Sequence, residues 1–203
     1  MTGPVVVAID GPAGSGKSTV ARELAGRLGL AVLDTGSMYR AVTALALRDG
    51  IDPHDADTVA ALAREVDLAV GEAVTSCGVD LTAELRSDAV NEAVSVVSAH
   101  PGVRTALVER QRDWVSAHAG GVVEGRDIGS VVFPHASVKI FLTASDDERA
   151  RRRHDEHPDS VARRDRLDVA RAASPLRPAD GAHVLDTTDR AIDDVVDEIL
   201  AWL

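Results

Sequence analysis

Gly11-Pro12-Ala13-Gly14-Ser15-Gly16-Lys17-Ser18, followed by Thr19, spaces its glycines, lysine and hydroxyl as G-x-x-x-x-G-K-S/T. Glycines at such spacing let the backbone bend until successive N–H groups face a chain of phosphates. A lysine at the seventh position reaches β- and γ-phosphates, and the hydroxyl of Ser18 is placed to ligate Mg²⁺. The bland alternative is a glycine-rich turn with no ligand. The flanks decide between the two. Val5-Val6-Val7-Ala8-Ile9 is the β-branched run of a strand buried on both faces. After the loop, Val20, Leu24 and Leu28 recur at helical spacing. A helix opening at Lys17 adds the positive end of its dipole to the same phosphates. The chain is therefore expected to bind a nucleoside triphosphate.

That loop does not name a reaction. A GTPase switch needs D-x-x-G and an N-K-x-D or T-K-x-D base reader, and neither string occurs. A motor ATPase would usually be longer, which leaves a small kinase. Its acceptor is expected at the carboxyl edge of the sheet. Three segments lie in the right places: Asp34-Thr35-Gly36-Ser37-Met38-Tyr39-Arg40 after the run Ala31-Val32-Leu33, Arg104, and Glu124-Gly125-Arg126-Asp127 after Val122-Val123. Arg40, Arg104 and Arg126 come from separate segments, and planar guanidinium forks suit an acceptor that already carries a phosphate. Taken singly, each would read as a surface ion pair. Eight arginines fall within 149–171, at 149, 151, 152, 153, 163, 164, 166 and 171. Alone, Arg149 to Arg153 would be a solvated helix face. Following a strand end, the block reads as a segment that folds over bound phosphates and excludes water.

The elements that must position these groups alternate. Helical spacing is expected at 38–47, 58–66, 87–98, 102–117, 146–156 and 191–200. Strands are expected at 5–9, 31–33, 121–123, 138–142 and 182–185, and a small β-ribbon within 67–86. Strands alternating with helices imply a parallel α/β sheet with right-handed crossovers, and the helix-rich stretch 36–118 reads as an insertion over one sheet edge.

The whole chain sets limits. With 203 residues, 45% of them apolar, one domain with a sizeable core is expected. Aromatics are 2%, so aliphatic side chains must fill that core. The net charge of −11 gives no general attraction for nucleic acid or anionic membrane, so any phosphate site must be a local basic cluster. One cysteine, Cys77, excludes an internal disulfide framework and a cysteine-built zinc site. No apolar run approaches a membrane span, and Met1-Thr2-Gly3-Pro4 has no basic leader, so a cytoplasmic protein is expected. His154 and His157 are read as polar surface, Cys77 as a small buried or turn residue, and Trp114 and Trp202 as core anchors.

The loop, D-T-G-S-M-Y-R, the Arg104 region, V-x-E-G-R-D-I-G-S-V-V-F-P, V-K-I-F-L-T-A-S, and R-D-x-x-D-x-x-R before S-P-L together resemble bacterial cytidylate kinase (CMP/dCMP kinase). These motifs stand in family order over nearly the whole chain. The resemblance implies an α/β, P-loop three-layer fold with a parallel β-sheet core, forming one kinase domain over 1–203. Within it, 36–118 would be a monophosphate-binding insertion and 149–172 a short arginine-rich lid. It implies transfer of the γ-phosphoryl group of Mg-ATP to CMP or dCMP. The alternatives are a P-loop kinase of another small acceptor, or a non-catalytic nucleotide-binding module. Lys17, Arg126, Arg164 and Arg171 would be catalytic. Asp34, Tyr39, Arg40 and Arg126 would border the acceptor monophosphate. Ser95, Arg104 and Asp127 would serve the cytosine or sugar side, and Asp168 the sugar. Val169 and Ala170 stand where polar or basic residues are expected. A monomer is the expectation the resemblance carries.

Overall fold

A computed structural model describes residues 4–71, 73–152 and 176–203. Two compact units divide the chain, one formed by Met1–Leu33 with Arg112–Leu203 and the other by Asp34–Gln111.

The larger unit is built on a five-stranded sheet. In chain order its strands are β1 (Val5–Asp10), β2 (Val32–Asp34), β6 (Gly120–Gly125), β7 (Val138–Thr143) and β8 (His183–Asp186), arranged β2-β6-β1-β7-β8. β1 runs parallel to β6 on one side, with Asp10 opposite Gly125, and parallel to β7 on the other, with Asp10 opposite Phe141. β8 continues parallel beyond β7. The chain visits one side of β1 before crossing to the other, so β1 is where the winding reverses, and ligands of open α/β sheets bind at the carboxyl ends around such a strand. Val7, Ala8 and Ile9 are fully buried, as a continuous β-branched run between two neighbours requires.

Helix α1 (Lys17–Leu28) lays Val20, Leu24 and Ala25 on this sheet. The C-terminal helix, α7 (Ile192–Leu200), joins the same core through Val195, Val196 and Ile199. A further helix, α6 (Asp146–Arg152), follows β7. Three acids in its first turn and three arginines in its last match the helix dipole. The remainder of the expected helix 146–156 lies outside the described residues. Trp114 lies outside the core cluster of the larger unit, and Trp202 packs against it, as expected of an anchor. Both are half-buried, and each stacks on a histidine, His118 and His183, with ring centroids 4.0 Å apart in both pairs.

In the smaller unit, α2 (Thr35–Arg48) starts three residues before the expected 38, because the Asp34 carboxylate caps it by accepting from the Ser37 N–H at 3.1 Å. Helix α3 (Ala56–Glu65) is capped by Asp55 and α4 (Asp88–Val97) by Ser87. The fifth helix, α5 (Pro101–Ala117), opens on Pro101, a residue preset for a first helical turn. The expected ribbon is a three-stranded antiparallel sheet of β3 (Leu68–Val70), β4 (Val74–Ser76) and β5 (Val79–Asp80). Cys77 and Gly78 join β4 to β5 with φ of 48° and 77°, the two-residue turn that suits hairpin twist. Cys77 is thus an exposed turn residue.

Candidate active site

The phosphate loop leaves β1 at Asp10 and re-enters helix at Lys17, so strand and helix fix both of its ends. Its carbonyl oxygens are engaged one after another. Arg126 donates to the oxygen of Gly11 at 2.7 Å and the Lys17 ammonium to that of Pro12 at 2.8 Å. Arg149 donates to Ala13 at 3.1 Å, Arg152 to Gly14 at 3.4 Å, and the Thr187 hydroxyl to Ser15 at 3.1 Å. Gly16 accepts from the N–H groups of Thr19 and Val20, the first bonds of α1. In a planar trans peptide the N–H points opposite to the C=O. Each donor therefore fixes the peptide plane whose oxygen it holds and, with it, the N–H of the next residue, of which that of Ser15 donates to the Pro12 oxygen at 3.4 Å.

Lys17 is buried and opens α1, whose first turn carries no acid to compete with an anion. Ser18 follows, half-buried, its hydroxyl a hard oxygen donor of the kind Mg²⁺ takes beside phosphate oxygens and water. Thr19 is exposed, and Ser15 is fully buried with a hydroxyl that has no hydrogen-bond partner among the described residues.

Several residues around the loop escape the sequence reading. Asp10, 3% exposed, accepts from the N–H groups of Ile128 at 2.7 Å and Gly129 at 2.8 Å. It thereby fastens the segment that follows Arg126 and Asp127 to the end of β1. Burial pushes the Asp10 carboxyl up to about 6. The two N–H donors and the Lys17 charge oppose that rise, while the Asp127 charge adds to it. A charged residue closing an apolar strand, directly before the glycine loop, is the signal that could have marked it. Glu148 is buried in α6 and accepts from Arg151 and Arg152, and these partners, Arg151 first, hold its carboxyl below the usual range. Thr187, just past β8, is 3% exposed. Neither has a motif around it, and both matter only through the loop carbonyls they help to fix. Arg149 and Arg152 are likewise not a free helix face, with 15% and 26% of their side chains exposed, whereas Arg151 is 74% exposed.

Asp127 is buried after β6 and leads into a wide π-helical turn, Ile128–Val132. In the smaller unit, Arg104 of α5 lies over the Tyr39 ring of α2, 5.9 Å from its centroid, and both residues are buried. Arg40 donates to the Leu85 carbonyl and to Asn91 of α4, both at 2.7 Å. Ser95 of α4 is buried, and its hydroxyl has no hydrogen-bond partner among the described residues. Asp34 caps α2. The structure thus brings Tyr39 and Arg104 together, and Lys17 and Arg126 together on the phosphate loop. Arg164, Asp168 and Arg171, with His154, His157, Val169 and Ala170, lie outside the described residues. Among the described residues, no cluster of metal-binding side chains forms and no helix is long and apolar enough to cross a membrane.

Solved P-loop enzymes share the architecture. A gluconokinase from Sinorhizobium meliloti aligns with a TM-score of 0.52 at 13% identity, covering 98% of this chain and 91% of that one. The shikimate kinase from Acinetobacter baumannii aligns with a TM-score of 0.51 at 18% identity, covering 98% and 92%. At such identities the likeness speaks to the fold alone. Sequence relatives are far nearer. Curated cytidylate kinases from Mycobacterium avium, Nocardia farcinica and Geobacillus kaustophilus are 50%, 47% and 46% identical. The alignments cover 98%, 97% and 97% of this chain and 95%, 92% and 95% of those proteins. The family model for cytidylate kinase matches residues 7–203, nearly the full length, phosphate loop included. The chain belongs to the cytidylate kinase family.

Proposed function

We propose that this protein transfers the γ-phosphoryl group of ATP to CMP or dCMP, giving CDP or dCDP. The observation that carries the reading is the family match across residues 7–203. The loop at 11–16 suits it as a donor site, because its glycine-rich backbone, with its oxygens held by Arg126, Lys17 and Thr187, runs into the N-terminus of α1 at Lys17.

In this reading Lys17 exchanges its bond to Pro12 for the β- and γ-phosphates, and its charge follows the migrating group. The Ser18 hydroxyl would hold Mg²⁺, which when bound would supply charge neutralisation to the triphosphate. Arg126, Arg164 and Arg171 are assigned to the transferring phosphates, Asp34, Tyr39 and Arg40 to the acceptor monophosphate, and Asp168 to the sugar. Ser95, Arg104 and Asp127 are assigned to the cytosine. No dedicated general base is needed, since phosphoryl transfer draws most of its acceleration from positioning and charge neutralisation. The stretch 36–118 acts as the acceptor-binding insertion and 149–172 as the lid of a monomeric enzyme.

A coupled ADP-release assay across CMP, dCMP, UMP, AMP, GMP and shikimate tests the assignment. Activity confined to CMP and dCMP is the expected result. Activity with shikimate or a purine monophosphate in preference to CMP would overturn it.

A further inference from the structure

Five protein groups hold the carbonyls at 11–15, and two of them form a closed node that no motif announces. The Thr187 hydroxyl lies 3.1 Å from the oxygens of both Ser15 and Thr143, and it accepts from Arg152 at 2.9 Å. A hydroxyl has one proton and two lone pairs, so it serves two carbonyls with one donor and needs Arg152 to fix its orientation. Arg152 spends its fork on the same place. Its second terminal nitrogen donates to the Thr187 carbonyl at 2.8 Å, its Nε to Glu148 at 2.7 Å, and the first reaches Gly14 at 3.4 Å. The Thr187 N–H donates to Thr143 at 2.8 Å, so the residue is tied to the end of β7 by its main chain as well. Thr187 and Glu148 are buried. The node therefore joins the ends of β7 and β8 and helix α6 to two successive peptide planes of the phosphate loop.

We propose that Thr187 and Arg152 are positioning residues for the ATP phosphates, acting by fixing the Gly14 and Ser15 carbonyls and hence the peptide planes that carry the N–H of Ser15, which donates to the Pro12 oxygen at 3.4 Å, and the N–H of Gly16. The inference rests on the donor-site reading above. Loss of the Thr187 hydroxyl releases the Ser15 oxygen and leaves the Arg152 guanidinium one acceptor short. The loop then samples orientations in which its N–H groups do not converge. Binding of the triphosphate weakens, because an ordering cost previously met in folding falls on the ligand. The acceptor nucleotide makes no use of these peptide planes.

The test uses the full chain with Thr187→Val, Thr187→Ser and Arg152→Lys. Steady-state constants are measured for ATP and CMP, ATP binding alone by calorimetry, and folding by thermal melting. Valine keeps the shape of threonine and removes the hydroxyl. Thr187→Val is expected to raise both the KM and the Kd for ATP about tenfold with the KM for CMP within about twofold of wild type, and Thr187→Ser should restore the wild-type values. Arg152→Lys keeps the charge and loses the fork, so it should follow Thr187→Val, and it decides the matter if the valine variant fails to fold. An unchanged ATP Kd in a folded variant, or equal losses for ATP and CMP, would overturn the proposal. Calorimetry needs no acceptor, so the node is tested even if CMP proves not to be the substrate.

Discussion

At the scale of single residues, the charged groups near the phosphate loop divide into those that act on a ligand and those that hold backbone. In the proposed reaction Lys17 does both in turn. Its bond to Pro12 is one charge-assisted hydrogen bond, roughly 1.5–3 kcal/mol of net stability, less than a typical domain's total, so Lys17→Ala should fold. Its charge is irreplaceable during transfer, and kcat should fall about a thousandfold, by analogy with removal of one preorganised donor. Circular dichroism alongside kcat separates the two roles, and a folded mutant with most of its turnover would place the lysine elsewhere. Asp10 holds backbone only. Its folded carboxyl titrates near 6 against an ordinary 3.8, so between those values the folded state binds more protons than the unfolded one. Stability contributed by Asp10 is full below about pH 4 and is lost as pH rises through 6, by roughly 3 kcal/mol in all. Asp10→Asn removes that titration. It also turns one acceptor into a donor facing the Gly129 N–H, so the mutant is less stable throughout. The readout is the change with pH. Urea melts should show the stability gap between wild type and mutant narrowing from pH 4 to pH 7, and a constant gap would place the Asp10 titration outside that window.

At the scale of elements, the fold was legible wherever a local pattern sufficed. The β-branched run of β1 and the apolar stripe of α1 bracket the loop, and nothing beyond Leu28 was needed to see it. Helix starts were less legible where a cap outweighs an apolar stripe, as Asp34 does for α2. The partners of the loop carbonyls were not legible at all. Thr187 and Arg152 lie 35 positions apart and meet only because β7 and β8 are neighbours in the sheet. An arginine run looks the same whether it faces water or a carbonyl. Helix α6 presses on the loop closely enough to give a test. Gly14 has φ of +77°, and a Cβ there would come within 2.7 Å of the Arg149 carbonyl oxygen and 3.0 Å of its Cα. Those are backbone atoms of α6 and cannot swing aside. Gly14→Ala should therefore shift α6 away from the loop, add roughly 1–2 kcal/mol of left-handed strain and weaken ATP binding by more than tenfold. Calorimetry with ATP would measure it. An alanine variant that binds ATP normally would mean that the loop and α6 pack more loosely than these distances imply.

At the scale of the whole molecule, a chain of net charge −11 must concentrate its cations wherever it handles phosphate. In the larger unit Lys17, Arg126, Arg149 and Arg152 gather on one loop, and in the smaller one Arg40 and Arg104 lie around Tyr39 and α4. Phosphate recognition alone would accept any nucleoside monophosphate, so base choice has to come from groups that read donors and acceptors. Cytosine offers a 4-amino donor and a ring N3 acceptor, and uracil reverses both. A carboxylate and a serine hydroxyl can accept from the amino group, while arginine donates to N3 or the 2-carbonyl. Each buried group left unpaired costs roughly 1–3 kcal/mol, so two mismatches give on the order of a hundredfold preference for CMP over UMP. Arg104→Met also removes the contact with Tyr39, and that loss weakens both substrates alike, so the ratio of specificity constants isolates base reading from packing. Arg104→Met and Asp127→Ala should each narrow the CMP/UMP ratio by damaging CMP use more than UMP use. Specificity constants for both bases in wild type and the two mutants measure this. A wild-type enzyme that takes UMP as readily as CMP would remove cytosine reading from these residues while leaving monophosphate phosphorylation intact.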